Sequence, residues 1–193
     1  MKNTLKSLVK KRSARDYIIY SLVILVGVFL DQLTKFLANK YLEPVMKVPI
    51  IEDVLALQYH LNPGAAFGSF ADKPYIFNTL SVTIIVVMLL YLYLGHAETT
   101  LSGIACAMIA SGGIGNMIDR TFFGEVTDFI YFELIDFAIF NGADSFVCVG
   151  AGLLVLALIL EIKDEYKKEK IKKATPDCND EASVPADRED GKE

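Results

Sequence analysis

Three cysteines and two histidines are all that 193 residues offer toward thiol or soft-metal chemistry. Cys106, Cys148 and Cys178 form no CxxC pair and no zinc-ligand spacing, so neither a metal site nor a disulfide framework is implied. Neither His60 nor His96 has a serine or cysteine signature around it. A basic stripe interleaved with aromatics is also missing; the lysines and arginines flank apolar runs, which argues against a nucleic-acid partner. The body of the chain is neutral, its seventeen acids matched by seventeen bases. The net charge of -5 comes from the end, where Asp177, Asp180, Glu181, Asp187, Glu189, Asp190 and Glu193 face only Arg188 and Lys192. This tail has few large apolar residues and reads as disordered.

What the chain has in excess is hydrocarbon. It is 53% hydrophobic with a mean hydropathy of +0.38, too apolar for a water-soluble domain of this length. A spanning helix needs about 20 mostly apolar residues, and four segments qualify: 17–38, 75–95, 101–119 and 145–162. The first follows a basic stretch, but it is long and no small-residue cleavage site follows it, so it is read as a span rather than a leader. The expected fold is an all-α membrane protein of four transmembrane helices, with a small β-containing element between helices 1 and 2. The domain plan is a basic cytoplasmic segment (1–16), a membrane domain (17–162) and a charged cytoplasmic tail (163–193) expected to be disordered. Six bases precede the first span and six lysines follow the last, so both termini are expected in the cytoplasm. Segments 39–74 and 120–144 then face outward. In the first of these, "VPIIEDVLALQYHLN" predicts one or two strands, and "NPGAAFGSF" a turn and a compact apolar loop. The Gly, Ala and Ser of "LSGIACAMIASGGIGN" suit either close helix packing or a substrate groove.

Polar residues in and beside the spans gather at the expected outer boundary. Asp31 and Lys35 lie four apart on one helix face, spaced for an ion pair. Asn116 and Asp119 share a face of the third span, and Arg120 is placed to clamp a carboxylate or to reach the interface. Asp128 lies in "EVTDFI". Asn141 and Asp144 precede the fourth span, where Asp144 or Ser145 is a candidate helix cap. Two close carboxylates cannot both stay ionised; such a pair shares a proton, and can activate water with one member and protonate an oxygen with the other. That is aspartic-peptidase chemistry. Ion or proton translocation is the competing use of membrane acids, and an assembly subunit with merely orienting charges is a third. A serine nucleophile would need Ser69, Ser111 or Ser145 to meet Lys35, which already has Asp31 beside it. From the residues alone, Asp119 and Asp128 compete as the partner of Asp144.

Five ordered blocks, "DQLTK" (31–35), "NPGAAFG" (62–68), "GGIGNMIDR" (112–120), "VTDF" (126–129) and "FNGADS" (140–145), resemble those of signal peptidase II, a polytopic bacterial membrane aspartic peptidase. The resemblance implies that Asp128 and Asp144 are the catalytic pair. It implies that Asn62, Asn116, Asn141 and Arg120 orient substrate or the aspartates, with Gly64, Ala143 and Asp119 beside them. Asp31 and Lys35 become structural support. It further implies diacylglyceryl-modified prolipoproteins as substrates, cut before the lipidated cysteine. The expected setting is the inner membrane, with the site at its outer face, in a monomer among membrane lipid that needs no metal or cofactor. The chain departs from the family pattern in Pro63 after Asn62 and in Gly142, where an apolar residue is commoner.

Overall fold

The computed structural model of the chain describes residues 12–64 and 74–174. Four helices and a small sheet follow one another as α1 (Ala14–Leu37), a wider π turn (Ala38–Leu42), β1 (Lys47–Ile51), β2 (Leu55–Asn62), α2 (Pro74–Tyr93), α3 (Thr100–Phe122), β3 (Val126–Tyr131), a 3-10 turn (Glu133–Ile135) and α4 (Gly142–Ala174). The chain divides into two compact units, Met1–Leu158 and Ile159–Glu193. The described part of the second is the end of α4, exposed and rich in lysine and glutamate.

Helix starts follow local chemistry. Ser13 caps α1 by accepting from the amide of Arg15 at 3.3 Å. Thr99 and Ser102 cap α3 reciprocally, each side chain taking the other's backbone N–H at 3.1 Å. Among the described residues, three helices are long and apolar enough to cross a membrane: α1 with its π turn, α3, and α4 as far as Ile171. The expected second span coincides with α2, whose described apolar part, Asn78–Tyr93, is shorter than that. The exterior is greasy: Ile18, Leu22, Leu25 and Phe29 of α1 and Val149, Val155 and Leu156 of α4 are exposed. The interior holds an apolar cluster of Tyr20, Leu92, Cys106 and Ala107 and, apart from it, a buried polar set of Asp31, Lys35, Asn116, Asp119, Asp128 and Asn141. That distribution suits a lipid solvent.

α3 forms the centre, packed on α1 and α2. Its small residues serve helix packing, one of the two uses the sequence allowed. A Cβ on Gly115 would sit 2.4 Å from the Asp31 carboxylate, and one on Gly112 would sit 2.2 Å from the carbonyl oxygen of Ala143 at the start of α4. Glycine-to-alanine changes inside helices ordinarily stabilise by about 1 kcal/mol. Gly112→Ala is expected to do the reverse, destabilising by about 1–3 kcal/mol as an overpacked contact that backbone must absorb. Thermal unfolding in detergent checks this, and a melting point raised above wild type would refute so close a contact.

Two differences from the sequence reading matter for the site. The β element is not confined to the segment between α1 and α2: β3, from beyond α3, completes an antiparallel sheet of order β1-β2-β3. β2 would otherwise expose an unpaired edge, and "VTDFIY" has the β-branched and aromatic content to cover it. Asp128 therefore sits on a strand, opposite His60. Ala38 and Leu42 of the π turn pack with Phe129, anchoring the sheet to the end of α1. The second difference is in α4, which opens at Gly142 rather than 145 and continues through the lysine-rich stretch to Ala174. Disorder was expected over 163–193, but 163–174 are helical; residues 175–193 and most of the "NPGAAFGSF" loop lie outside the described residues.

Candidate active site

The helical periodicity of α1 puts Asp31 and Lys35 on one face, and that of α3 puts Asn116 and Asp119 opposite them. The Lys35 ammonium is 3% exposed and lies against three oxygens. It pairs ionically with Asp31 Oδ2 and with Asp119 Oδ2, each at 2.9 Å, and donates to Asn116 Oδ1 at 2.8 Å. The expected Asp31–Lys35 pair is present, but it is half of a larger centre. Gln32, which the sequence reading did not single out, donates to the other Asp119 oxygen at 2.9 Å and to the Gly115 carbonyl at 3.2 Å. Its signal was its place in "DQLTK", directly after Asp31. The other Asp31 oxygen accepts from the amide of Ala143 at 2.8 Å, tying the ion centre to the first turn of α4. Ala143 is fully buried where α1, α3 and α4 meet.

Asp128 and Asp144 are joined by a different set of groups, all amides. Asn141 Nδ2 donates to Asp128 Oδ1 at 2.6 Å and to Asn116 Oδ1 at 3.0 Å. The Asn141 backbone N–H donates to Asp144 Oδ2 at 3.2 Å, while Asn141 Oδ1 accepts from the Asp144 amide at 3.0 Å. This is a reciprocal cap, so Asn141 closes the start of α4 and Asp144 is the third helical residue, not the cap itself. Asn116 Nδ2 donates to Asp144 Oδ1 at 2.8 Å. Since Asn116 Oδ1 already accepts from Lys35 and Asn141, the amide is locked with its donor end toward Asp144. On the far side, Asn62 Nδ2 donates to Asp128 Oδ2 at 3.0 Å, and Asn62 Oδ1 accepts from the Gly64 amide at 2.9 Å. Gly64 has φ +107°, a conformation that only glycine adopts readily, and it holds Asn62 in this turn.

Asp128 is 1% exposed. Burial, chiefly, pushes its carboxyl up to about 6; the nearby Asp144 charge adds to the rise, and the Asn62 and Asn141 hydrogen bonds and Lys35 oppose it. Arg120 interacts electrostatically with Asp144, Asp128 and Asp119, in that order of strength. It makes no ion pair among the described residues, and its buried Nε has no partner among them. The geometry thus separates the two acids that the sequence left in competition. Asp119 belongs to the Lys35 centre, whereas Asp128 shares Asn141 with Asp144.

Residues 23–160 match the family described as Signal peptidase (SPase) II. The chain is 39% identical over 158 residues to a lipoprotein signal peptidase of Halalkalibacterium halodurans, covering 81% of this chain and 99% of that one. It is 43% identical over 134 residues to a lipoprotein signal peptidase of Caldanaerobacter subterraneus, covering 69% and 91%. Two solved structures described as a bacterial membrane enzyme are similar to it. One has a TM-score of 0.66 at 29% identity, over 76% of this chain and 90% of that one; the other scores 0.65 at 30% identity, over 72% and 92%.

Proposed function

We propose, from the premise that this chain belongs to the signal peptidase II family, that it is an aspartic endopeptidase using Asp128 and Asp144 to cut diacylglyceryl-modified prolipoproteins before the lipidated cysteine. The family is one of membrane proteases that act on lipoprotein signal peptides, and the chain is a bacterial-type membrane protease. The finer reading rests above all on Asn141, whose side chain and backbone hold two carboxylates from separate segments around one point.

In the reaction the pair carries one shared proton. Asp128, with its raised carboxyl, holds that proton, and Asp144 receives one from the attacking water. The water oxygen bonds to the scissile carbonyl carbon as the Asp128 proton passes to the carbonyl oxygen. The tetrahedral diol collapses when the proton on Asp144 moves to the cysteine nitrogen, the C–N bond breaks and one diol hydroxyl returns its proton to Asp128, which restores the resting pair. The signal peptide leaves with a new carboxyl group, the lipidated cysteine gains a free amine, and no metal or organic cofactor enters the balance. Arg120 supplies positive charge beside both carboxylates, and Asn62 remains near the scissile bond to orient backbone.

The membrane setting follows the same reading. α2 serves as the fourth span, both termini are cytoplasmic, and the dyad faces outward among lipid. The reading is tested with purified protein and a synthetic diacylglyceryl prolipoprotein, the products being identified by mass. Cleavage before the modified cysteine supports it, and no cleavage of that substrate removes it. The same assay has a pH signature. Because Asp128 must be protonated, activity is lost as pH rises through its titration. The alkaline limb of kcat/KM is expected at an apparent pKa of about 6, with that of kcat higher because bound substrate dries the site further. A flat profile between pH 5 and pH 9, taken as roughly the range where such a perturbed carboxyl titrates, would contradict this role.

A further inference from the structure

Both elements that carry the dyad continue into one apolar groove. In a strand, alternate residues share a face, so Ile130 and Phe132 follow Asp128 on its side of β3. In a helix, residues four apart share a face, so Cys148 follows Asp144 and Val149 follows Ser145 along α4. Ile130, Phe132, Cys148 and Val149, with Phe137 and Phe140, line a cavity of about 610 Å³ that Asp144 and Ser145 also line. Phe140 stacks on Phe132 and meets Phe137 edge-on, which makes one wall a stiff aromatic surface. A substrate whose scissile bond lies at the dyad must place a neighbouring group in this groove.

The lining identifies the occupant. A peptide lying here would bring an N–H and a C=O at every residue, each needing a partner once removed from water. The groove provides none among the described residues. The Ser145 hydroxyl is already spent on the Asn141 carbonyl at 3.1 Å, and the Asp144 carboxylate is held by Asn116 and Asn141. The strand edge at Ile130 is closed as well, since Ile130 and Phe140 exchange both backbone hydrogen bonds, at 2.8 and 3.0 Å. An extended peptide therefore cannot add to β3 at this point. Hydrocarbon needs no partner, and the cavity far exceeds one leucine side chain. The geometry points to a fatty acyl chain of the substrate's diacylglyceryl group as the occupant of this groove, an assignment that rests on the peptidase reading above.

Cys148 reports on occupancy directly. It is exposed in the groove, whereas Cys106 is buried. In full-length protein carrying Cys178→Ser and Asp128→Asn, the rate of N-ethylmaleimide alkylation at Cys148 is measured with three additions. These are a dipalmitoylglyceryl-cysteine peptide, the same peptide without lipid, and phosphatidylglycerol at equal acyl concentration. The lipidated peptide is expected to slow alkylation about ten-fold at ten times its Kd, with little effect from the other two. Equal protection by the bare peptide would overturn the assignment in favour of a peptide groove. Equal protection by phosphatidylglycerol would make it a bulk-lipid site, and no protection by any of the three would leave the groove without a role in binding. Cleavage by the Cys178→Ser chain with Asp128 intact is measured in parallel. Cleavage without protection removes the groove assignment alone, and protection without cleavage removes the peptidase reading while the acyl site stands.

Discussion

Asp144→Asn and Asp128→Asn are each expected to lower kcat by at least about 10²–10⁴, the range for loss of a positioned acid or base, while the protein still folds. The hydrogen bonds explain why folding survives. Asp144 accepts from Asn116 and from the Asn141 backbone, and Asp128 accepts from Asn62 and Asn141. An asparagine keeps one of its two acceptor oxygens, so each variant loses roughly one hydrogen bond, about 1–3 kcal/mol where the facing donor is stranded. Asp119→Asn is expected to behave in the opposite way. It removes a carboxylate paired with the buried Lys35, so its effect appears first in the melting temperature and only second in turnover. The three variants are compared by cleavage of the lipidated precursor and by thermal unfolding in the same detergent. A folded Asp128→Asn protein that turns over normally, beside a folded but dead Asp119→Asn protein, would move the dyad from Asp128 to Asp119.

The second large effect is expected at Lys35. Lys35→Met keeps most of the side-chain volume and deletes the ammonium that satisfies Asp31, Asp119 and Asn116 together. Two carboxylates are then left in a buried site without their common cation. Removing one side of a buried ion pair costs about 3–5 kcal/mol. Turnover should fall with stability, since Asn116 loses the contact that fixes its donor end toward Asp144. A double-mutant cycle separates the pair from the rest. With Asp119→Leu added, one stranded carboxylate disappears, and the double variant is expected to melt higher than Lys35→Met alone. If Lys35→Met melted with wild type, the centre would be carrying no structural load.

The helices were legible because their signal is additive. Long apolar runs bounded by charge mark α1, α3 and α4, and the run in α2 marks a fourth apolar helix, each within a few residues of where it lies except for the end of α4, which runs on through the lysines. The hairpin of β1 and β2 was legible from the β-branched and aromatic content of 48–62. β3 was not, although its composition is strand-like. Its residues drew attention as a block around an acid, and a strand that pairs across α2 and α3 leaves no local turn to announce it. The start of α4 was placed late for a related reason: three polar residues in "NGADS" can each cap a helix, and only the contact between Asn141 and Asp144 selects among them. Within the site, the residue types were readable and their partners were not. That Lys35 meets Asp119 as well as Asp31 depends on how closely α3 approaches α1, which the missing side chain of Gly115 sets. No spacing in the sequence encodes that distance.

The late arrival of β3 in the sheet bears on when the enzyme comes to life during its own synthesis. β1 and β2 close locally, but Asn62 pairs with Val126, a contact of high sequence separation that is slow to form and costly in chain entropy. Asp128 travels with that strand, and the cap that holds it to Asp144 exists only once α4 has begun. On the proposed roles of Asp128 and Asp144, a nascent chain emerging from the ribosome carries the early parts of the scaffold without any cutting power. Proteolytic competence then arrives only when both segments have docked, so that a half-made chain cannot attack its neighbours at the insertion site.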